Sequence, residues 1–253
     1  MKLLWKLMMA AIPVAMISAC GGGDDAADRT DVADPVVRFV HASPLAPSVT
    51  LYRNDAPTAD ATNAPYKFAS DYVDIDMGSA PWSVKTADAT ATTVGSVNID
   101  PSRGDKYTIV ALPAPSNGNT VALIVDPFNK SLGSNSTRVR LLNGALANGA
   151  VDIYMVGVGA DINSASAVPT VANTAYGVAG PASGNDSVDI PGGTYDVYVT
   201  SAGTKTVLFK GRIQFGDDND LLFVSVPDAS SSTGMNLLVK VDGTAGLQQV
   251  TAI

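Results

Sequence analysis

Val37-Arg38-Phe39-Val40 and Val139-Arg140-Leu141-Leu142 are two openings of one pattern. Fourteen residues after each arginine stands a tyrosine: Tyr52 in Val49-Thr50-Leu51-Tyr52 and Tyr154 in Val151-Asp152-Ile153-Tyr154, an offset of 102 between copies. Further along, Ile75-Asp76-Met77 followed by Trp82-Ser83-Val84 matches Val188-Asp189-Ile190 followed by Tyr195-Asp196-Val197 at an offset of 113. The second copy therefore reads as carrying about eleven extra residues between Tyr154 and Tyr195. Near the ends, Ala122-Leu123-Ile124-Val125-Asp126 matches Leu238-Val239-Lys240-Val241-Asp242. Units of about 100 residues are too long for a solenoid repeat and suit a tandem of small domains.

Within each copy the apolar residues alternate over short runs bounded by Gly, Pro, Asn and Asp, which is the strand signal. In the first copy the pattern predicts strands near Val37–Ala42, Ser48–Arg53, Tyr72–Met77, Trp82–Thr86, Gly95–Ile99, Lys106–Leu112 and Thr120–Val125. In the second it predicts Thr137–Asn143, Ala150–Met155, Ser187–Ile190, Tyr195–Thr200, Val207–Phe215, Asp220–Val226 and Leu237–Val241. Composition agrees. All 24 acidic residues are Asp and none is Glu, so a good helix former is absent and a turn former takes its place. The fold class is all-β, read as two tandem immunoglobulin-like β-sandwich domains, with a barrel as the alternative that periodicity leaves open. The single cysteine excludes the antibody-type disulfide.

That cysteine sits elsewhere. Lys2 and Lys6 give a positive start, Leu7 to Met16 an apolar run too short to span a bilayer, and Ile17-Ser18-Ala19-Cys20 precedes three glycines. The tetrapeptide resembles the bacterial lipobox, whose cysteine is lipidated and becomes the mature N-terminus. The expected organisation is a lipoprotein signal peptide over 1–19, a flexible acidic tether over 20–35, and sandwich domains over 36–130 and 137–253. Without Lys2 and Lys6, 14 basic residues face 24 acidic ones, a net charge of −10. Such a surface does not suit nucleic acid or anionic lipid, both of which call for basic patches. Membrane attachment is then expected through acyl chains on Cys20, two or more being needed for a stable hold.

Candidates for chemistry are few. His41 is the only histidine, and Ser43, two residues on, would share its strand face. Because Ser43 precedes Pro44, a structural bond from the imidazole to the adjacent loop is the better reading. Asp217-Asp218-Asn219-Asp220 is the densest set of oxygen ligands, but it lacks the glycine and terminal Glu of a calcium loop and reads as a hairpin turn. Asp71, Asp74 and Asp76 read as a solvated strand face rather than a glycosidase pair. Tyr52, Tyr66, Tyr72, Trp82, Tyr107, Tyr154, Tyr176, Tyr195 and Tyr198 could stack on sugars, though strand positions favour core roles. The long Gly-, Ala- and Ser-rich stretch from Gly157 to Ser187 is the segment best placed for contact with a partner.

Val37-Arg38-Phe39-Val40-His41-Ala42-Ser43-Pro44, followed by Ala46-Pro47-Ser48-Val49-Thr50-Leu51-Tyr52, resembles the opening of the domain of unknown function 4397 family. Leu45 and Thr50 stand where that family usually has Asp, and the second copy has Asn143-Gly144-Ala145-Leu146 in place of the HASP segment. The resemblance covers residues 37–253 as two copies and implies a β fold in a secreted or surface-anchored bacterial setting, with no assigned chemistry. The expectation is a non-catalytic, lipid-anchored envelope protein with palmitate-type acylation at Cys20. No catalytic, cofactor or metal residues are assigned. Its partners would be the membrane, through the anchor, and a protein or glycan, with a carbohydrate- or cell-wall-binding module as the alternative and a hydrolase as a more distant one. Gly21 after the cysteine resembles outer-membrane sorting in a Gram-negative cell.

Overall fold

The structure, a computed structural model, describes residues 33–127 and 135–253. The expected signal peptide, Cys20 and most of the expected tether lie outside the described residues. In the first half the strands are β1 (Val36–His41), β2 (Val49–Arg53), β3 (Ala56–Pro57), β4 (Val73–Asp74), β5 (Ala80–Thr86), β6 (Thr93–Ile99), β7 (Asp105–Ala114) and β8 (Gly118–Pro127). They form two sheets, β4-β1-β7-β8 and β3-β2-β5-β6. β1 runs parallel to β7, setting Val37 beside Tyr107 and Phe39 beside Ile109; every other pairing in this half is antiparallel.

The second half follows the same scheme. Its strands are β9 (Thr137–Asn143), β10 (Val151–Gly157), β11 (Val171–Thr174), β12 (Ala179–Gly180), β13 (Val188–Ile190), β14 (Gly193–Ser201), β15 (Val207–Phe215), β16 (Asp220–Pro227), β17 (Met235–Val241), β18 (Gln248–Gln249) and β19 (Thr251–Ala252). One sheet is β12-β9-β16-β17-β18 with β13 also on β9, and the other is β11-β10-β14-β15-β19. β9 lies parallel to β16 as β1 does to β7. These are open sheets stacked face to face, so the sandwich reading holds over the barrel. No helix among the described residues is long and apolar enough to cross a membrane.

Three apolar clusters hold four layers together. Phe39, Leu51, Trp82, Val84 and Ile109 fill the space between the two sheets of the first half. Leu141, Ile153, Val197, Phe223 and Leu237 do the same in the second. A third cluster joins Val40, Val110, Leu112 and Ile124 to Leu142, Leu222, Val224 and Leu238, so the β1 and β9 sheets pack on each other. These two inner sheets are covered on both faces. Along β1, Val37 and Phe39 enter the first core while Val40 enters the seam between halves, and all six residues are buried. At about 25 cal/mol per Å² of apolar surface removed from water, a seam of this kind stabilises the pair of halves as a conventional core would.

Three expectations change. The run Tyr72–Met77 forms a strand only at Val73–Asp74. Asp217–Asp220 is not a hairpin turn, because β15 and β16 belong to different sheets; the turn carries the chain from the outer layer to the inner one. The repeat is also in a different register. Arg53 faces Trp82 across β2 and β5, and Met155 faces Val197 across β10 and β14, so Trp82 corresponds to Val197 at an offset of 115 and not to Tyr195 at 113. A slip of two residues preserves the in–out alternation of a strand, so the pattern cannot detect it.

The segment 157–187 does not stand free. It lays β11 on β10 and β12 on β9, and its Tyr176 hydroxyl donates to the Pro113 carbonyl in the first half. Gly184 N–H donates to Val125 O at 2.8 Å and Val125 N–H to Ser183 Oγ at 2.8 Å. Exposed residues run through the segment at 157–161, 163–166 and 182–186, while Ile162 is buried.

Candidate functional site

β2 ends in Arg53, and the cross-strand register places it opposite Trp82 of β5. Its guanidinium lies 5.6 Å from the Trp82 ring centroid, within cation–π range of an indole that is itself buried. Nη1 reaches Asp76 Oδ2 at 3.6 Å and Nη2 donates to Asp76 O at 3.2 Å. Nε is buried with no hydrogen-bond partner among the described residues. A buried donor left without an acceptor costs about 1–3 kcal/mol in the free fold.

Arg53 borders two adjoining hollows. One, of about 150 Å³, opens between β1, β4, β2 and β5, with Val37, Phe39, Leu51 and Trp82 as apolar walls and Thr58, Asp60, Ser70 and Asp74 as polar ones. The other, of about 210 Å³, is bounded by Asp34, Arg53, Asp74, Ile75, Asp76 and Met77. In this second hollow exposed carboxylates ring a single cation, with half-exposed Met77 on the rim. This site breaks the internal symmetry. Met155 occupies the position of Arg53 in the second half and is absorbed into its core, beside Val171 and Val197. Where the halves agree, architecture explains the residue; here they differ.

His41 shows what agreement means. Its side chain is fully buried; Nε2 contacts Pro47 O at 3.1 Å, and Nδ1 accepts the Ser43 N–H at 3.3 Å. Asn143 stands at the same place in the second half and does the same work. Its Nδ2 donates to Gly149 O at 2.8 Å and its Oδ1 accepts the Ala145 N–H at 3.1 Å. Imidazole and amide are interchangeable clamps on the loop after the first strand, which fixes His41 as the neutral tautomer protonated at Nε2. Ser43 Oγ turns away to Asn119 Oδ1 at 2.5 Å. The structural reading of His41 and Ser43 accounts for every polar atom of both side chains.

The clamp has a pH signature. Burial pushes the His41 pKa below its usual value, against the opposing pull of the Pro47 carbonyl. The folded pKa lies below the unfolded one, so the contribution is complete above about pH 6.5 and is lost as pH falls from there through the folded value. His41→Asn should keep the loop closed and flatten this loss, as a melting-temperature series from pH 7.5 to 5 would show. His41→Ala should cost about 1–3 kcal/mol at pH 7.5, because the Ser43 N–H and Pro47 O lose their partner. Equal slopes for wild type and His41→Asn would contradict the assignment.

The remaining candidates disperse. Asp217 Oδ1 accepts the Gly192 N–H at 2.8 Å, Asn219 Nδ2 donates to Gly216 O and Asp217 O, and Asp220 pairs with Arg138 at 3.9 Å. No three metal-ligating side chains converge among the described residues. Asp71 reaches across to Lys240 at 3.3 Å, while Asp74 and Asp76 belong to the cleft. Among the described residues no tyrosine, tryptophan or phenylalanine is exposed. Lys85 covers Tyr52 at 4.6 Å, Lys205 covers Tyr154 at 4.1 Å, and Tyr195 stacks on Phe215 at 5.4 Å. A flat aromatic platform is therefore not presented by these residues. Sequence reasoning missed Arg53; the signal for it was an arginine facing a methionine at one repeat position.

Among solved structures, the chain is similar to one described as alpha-glucan recognition by family 41 carbohydrate-binding modules from streptococcal virulence factors. There the identity is 13%, the match covers 76% of this chain and 93% of that one, and the TM-score is 0.24. It is also similar to a family 26 module from Eubacterium rectale Amy13K in complex with maltoheptaose, at 8% identity, 86% and 97% coverage and a TM-score of 0.22. No curated protein matches the sequence. Residues 35–154, which span the first half and run through β9 into β10, match the family described as Domain of unknown function (DUF4397).

Proposed function

We propose that this chain is a non-catalytic, lipid-anchored module of the bacterial cell envelope whose first half binds a neutral or amino sugar at the Arg53 cleft. Its second half is a second copy of the same domain, retained as a scaffold. The observation that carries this reading is Arg53 itself, which departs from the repeat and lines a carboxylate-ringed hollow. A sugar ring offers oxygen acceptors for the guanidinium and several hydroxyl donors for Asp60, Asp74 and Asp76. Anionic polymers are disfavoured by those carboxylates and by the net charge of −10 left without Lys2 and Lys6. Cys20 supplies the anchor, in the outer membrane by the lipobox context. About fifteen tether residues would give a reach of roughly 20 Å, at 5–6 Å times the square root of their number.

One experiment tests both parts. The wild-type chain should sediment with membranes and carry acyl groups on Cys20 by mass spectrometry, whereas Cys20→Ala should stay unacylated. The solubilised variant, screened by thermal shift against envelope monosaccharides and oligosaccharides, should melt higher with a neutral or amino sugar. Saturating ligand at a hundredfold excess over Kd adds about 2.7 kcal/mol, a rise of roughly 5–10 °C for a protein of this size. A response confined to anionic glycans, or none to any sugar, would overturn the binding assignment.

A further inference from the structure

The geometry points to a self-recognising surface: the inner-sheet face of each half is built to meet a second copy of itself, and the chain is an isologous pair fused end to end. In an isologous contact residue i meets j and j meets i. Arg38 and Arg140 occupy one repeat position, and Asp126 and Asp242 another. Arg38 Nη1 pairs with Asp242 Oδ1 at 2.5 Å, and Arg140 Nη2 pairs with Asp126 Oδ1 at 3.3 Å. Each arginine takes the aspartate of the opposite half. The apolar residues around them obey the same rule, with Val40 and Leu142, Val110 and Val224, and Leu112 and Val226 all in one cluster. The fit at Gly144 is close as well: a Cβ there would lie 2.8 Å from Leu112 Cδ2 of the other half.

Departures from symmetry fall where fusion would place them. Lys240 replaces the equivalent of Ile124; fully buried, it donates to Asp71 Oδ1 at 3.3 Å and to the Thr244 carbonyl. The insertion of the second half ties down the edge of β8 through Ser183 and Gly184, and Arg140 holds it from beneath through the carbonyls of Pro181, Ala182 and Asn185. What remains unfilled at the centre is about 10 Å³ among Arg38, Tyr72, Asp126 and Arg140, the space of one water molecule.

The test is a protease site placed within residues 128–134 of the otherwise intact chain carrying Cys20→Ala, cut after folding. The two pieces should remain one particle by native mass spectrometry at submicromolar concentration and unfold in one transition. In the cut protein Arg38→Met should weaken association about a hundredfold. Adding Asp242→Leu should restore it to within about tenfold, while adding Asp126→Leu should not. Separation of the wild-type pieces at micromolar concentration would overturn the inference whether or not any variant folds. So would equal restoration by the two aspartate changes.

Discussion

Arg140→Met is expected to lower the stability of the folded chain by about 3–5 kcal/mol, the scale seen when one partner of a buried ion pair is removed. Arg140 is 3% exposed, and its two terminal nitrogens make four bonds. Nη1 donates to Pro181 O at 2.5 Å and Ala182 O at 3.1 Å; Nη2 donates to Asn185 O at 2.5 Å and to Asp126 at 3.3 Å. The substitution fills similar volume but withdraws the donors from three carbonyls and the cationic partner from a carboxylate. Arg140→Lys should recover little of the loss, because an ammonium cannot present the planar fork that reaches carbonyls on two sides. Urea unfolding would show the midpoint fall in both variants. A loss under 1 kcal/mol for Arg140→Met would mean that the 157–187 segment and the seam stand without it. Arg38 is set differently. Burial opposes its charge, but Tyr72, Asp242, Asp220 and Asp126 outweigh that and hold its pKa above the ordinary guanidinium value. Its aspartate partner is 29% exposed, so Arg38→Met should cost less than Arg140→Met.

The sheets were legible because alternation is a local property. Val49–Arg53, Thr137–Asn143 and Val207–Phe215 announce themselves by composition and spacing. What alternation cannot say is which face meets water. In β1 and β9 neither does, so Arg38 and Arg140 occupy positions that a two-layer reading assigns to solvent. The seam between halves was hidden for that reason. Very short strands such as Ala179–Gly180 and Gln248–Gln249 carry no pattern of their own; they exist because neighbouring edges offer unpaired backbone groups. The long insertion read as a recognition loop on its small-residue content, yet those same residues let it lie flat across the seam. His41 was legible as a clamp from Ser43-Pro44, and its equivalence to Asn143 needed the hydrogen bonds.

Arg53→Met should weaken sugar binding at least tenfold while leaving the fold intact, and the repeat itself supplies the substitution. Met155 sits at that position in the second half, 9% exposed within an ordered core, so methionine is compatible with a β2-type strand end facing an apolar partner. The stability cost should be within about 1 kcal/mol, because among the described residues the only ion pair lost is with Asp76, whose side chain is 95% exposed. Removing the unpartnered Nε also removes a buried donor that the free protein leaves unsatisfied, which works in the opposite direction. Binding has no such offset. A charge-assisted bond to a ligand oxygen is worth about 1.5–3 kcal/mol, so affinity should fall by about tenfold to 150-fold. Calorimetric titration of the sugar identified by thermal shift, into wild type and Arg53→Met at matched melting temperature, separates the two effects. Retained affinity in Arg53→Met would move the ligand away from this cleft, because no other cation lines either hollow except Arg38, which is committed to Asp242 and Thr108.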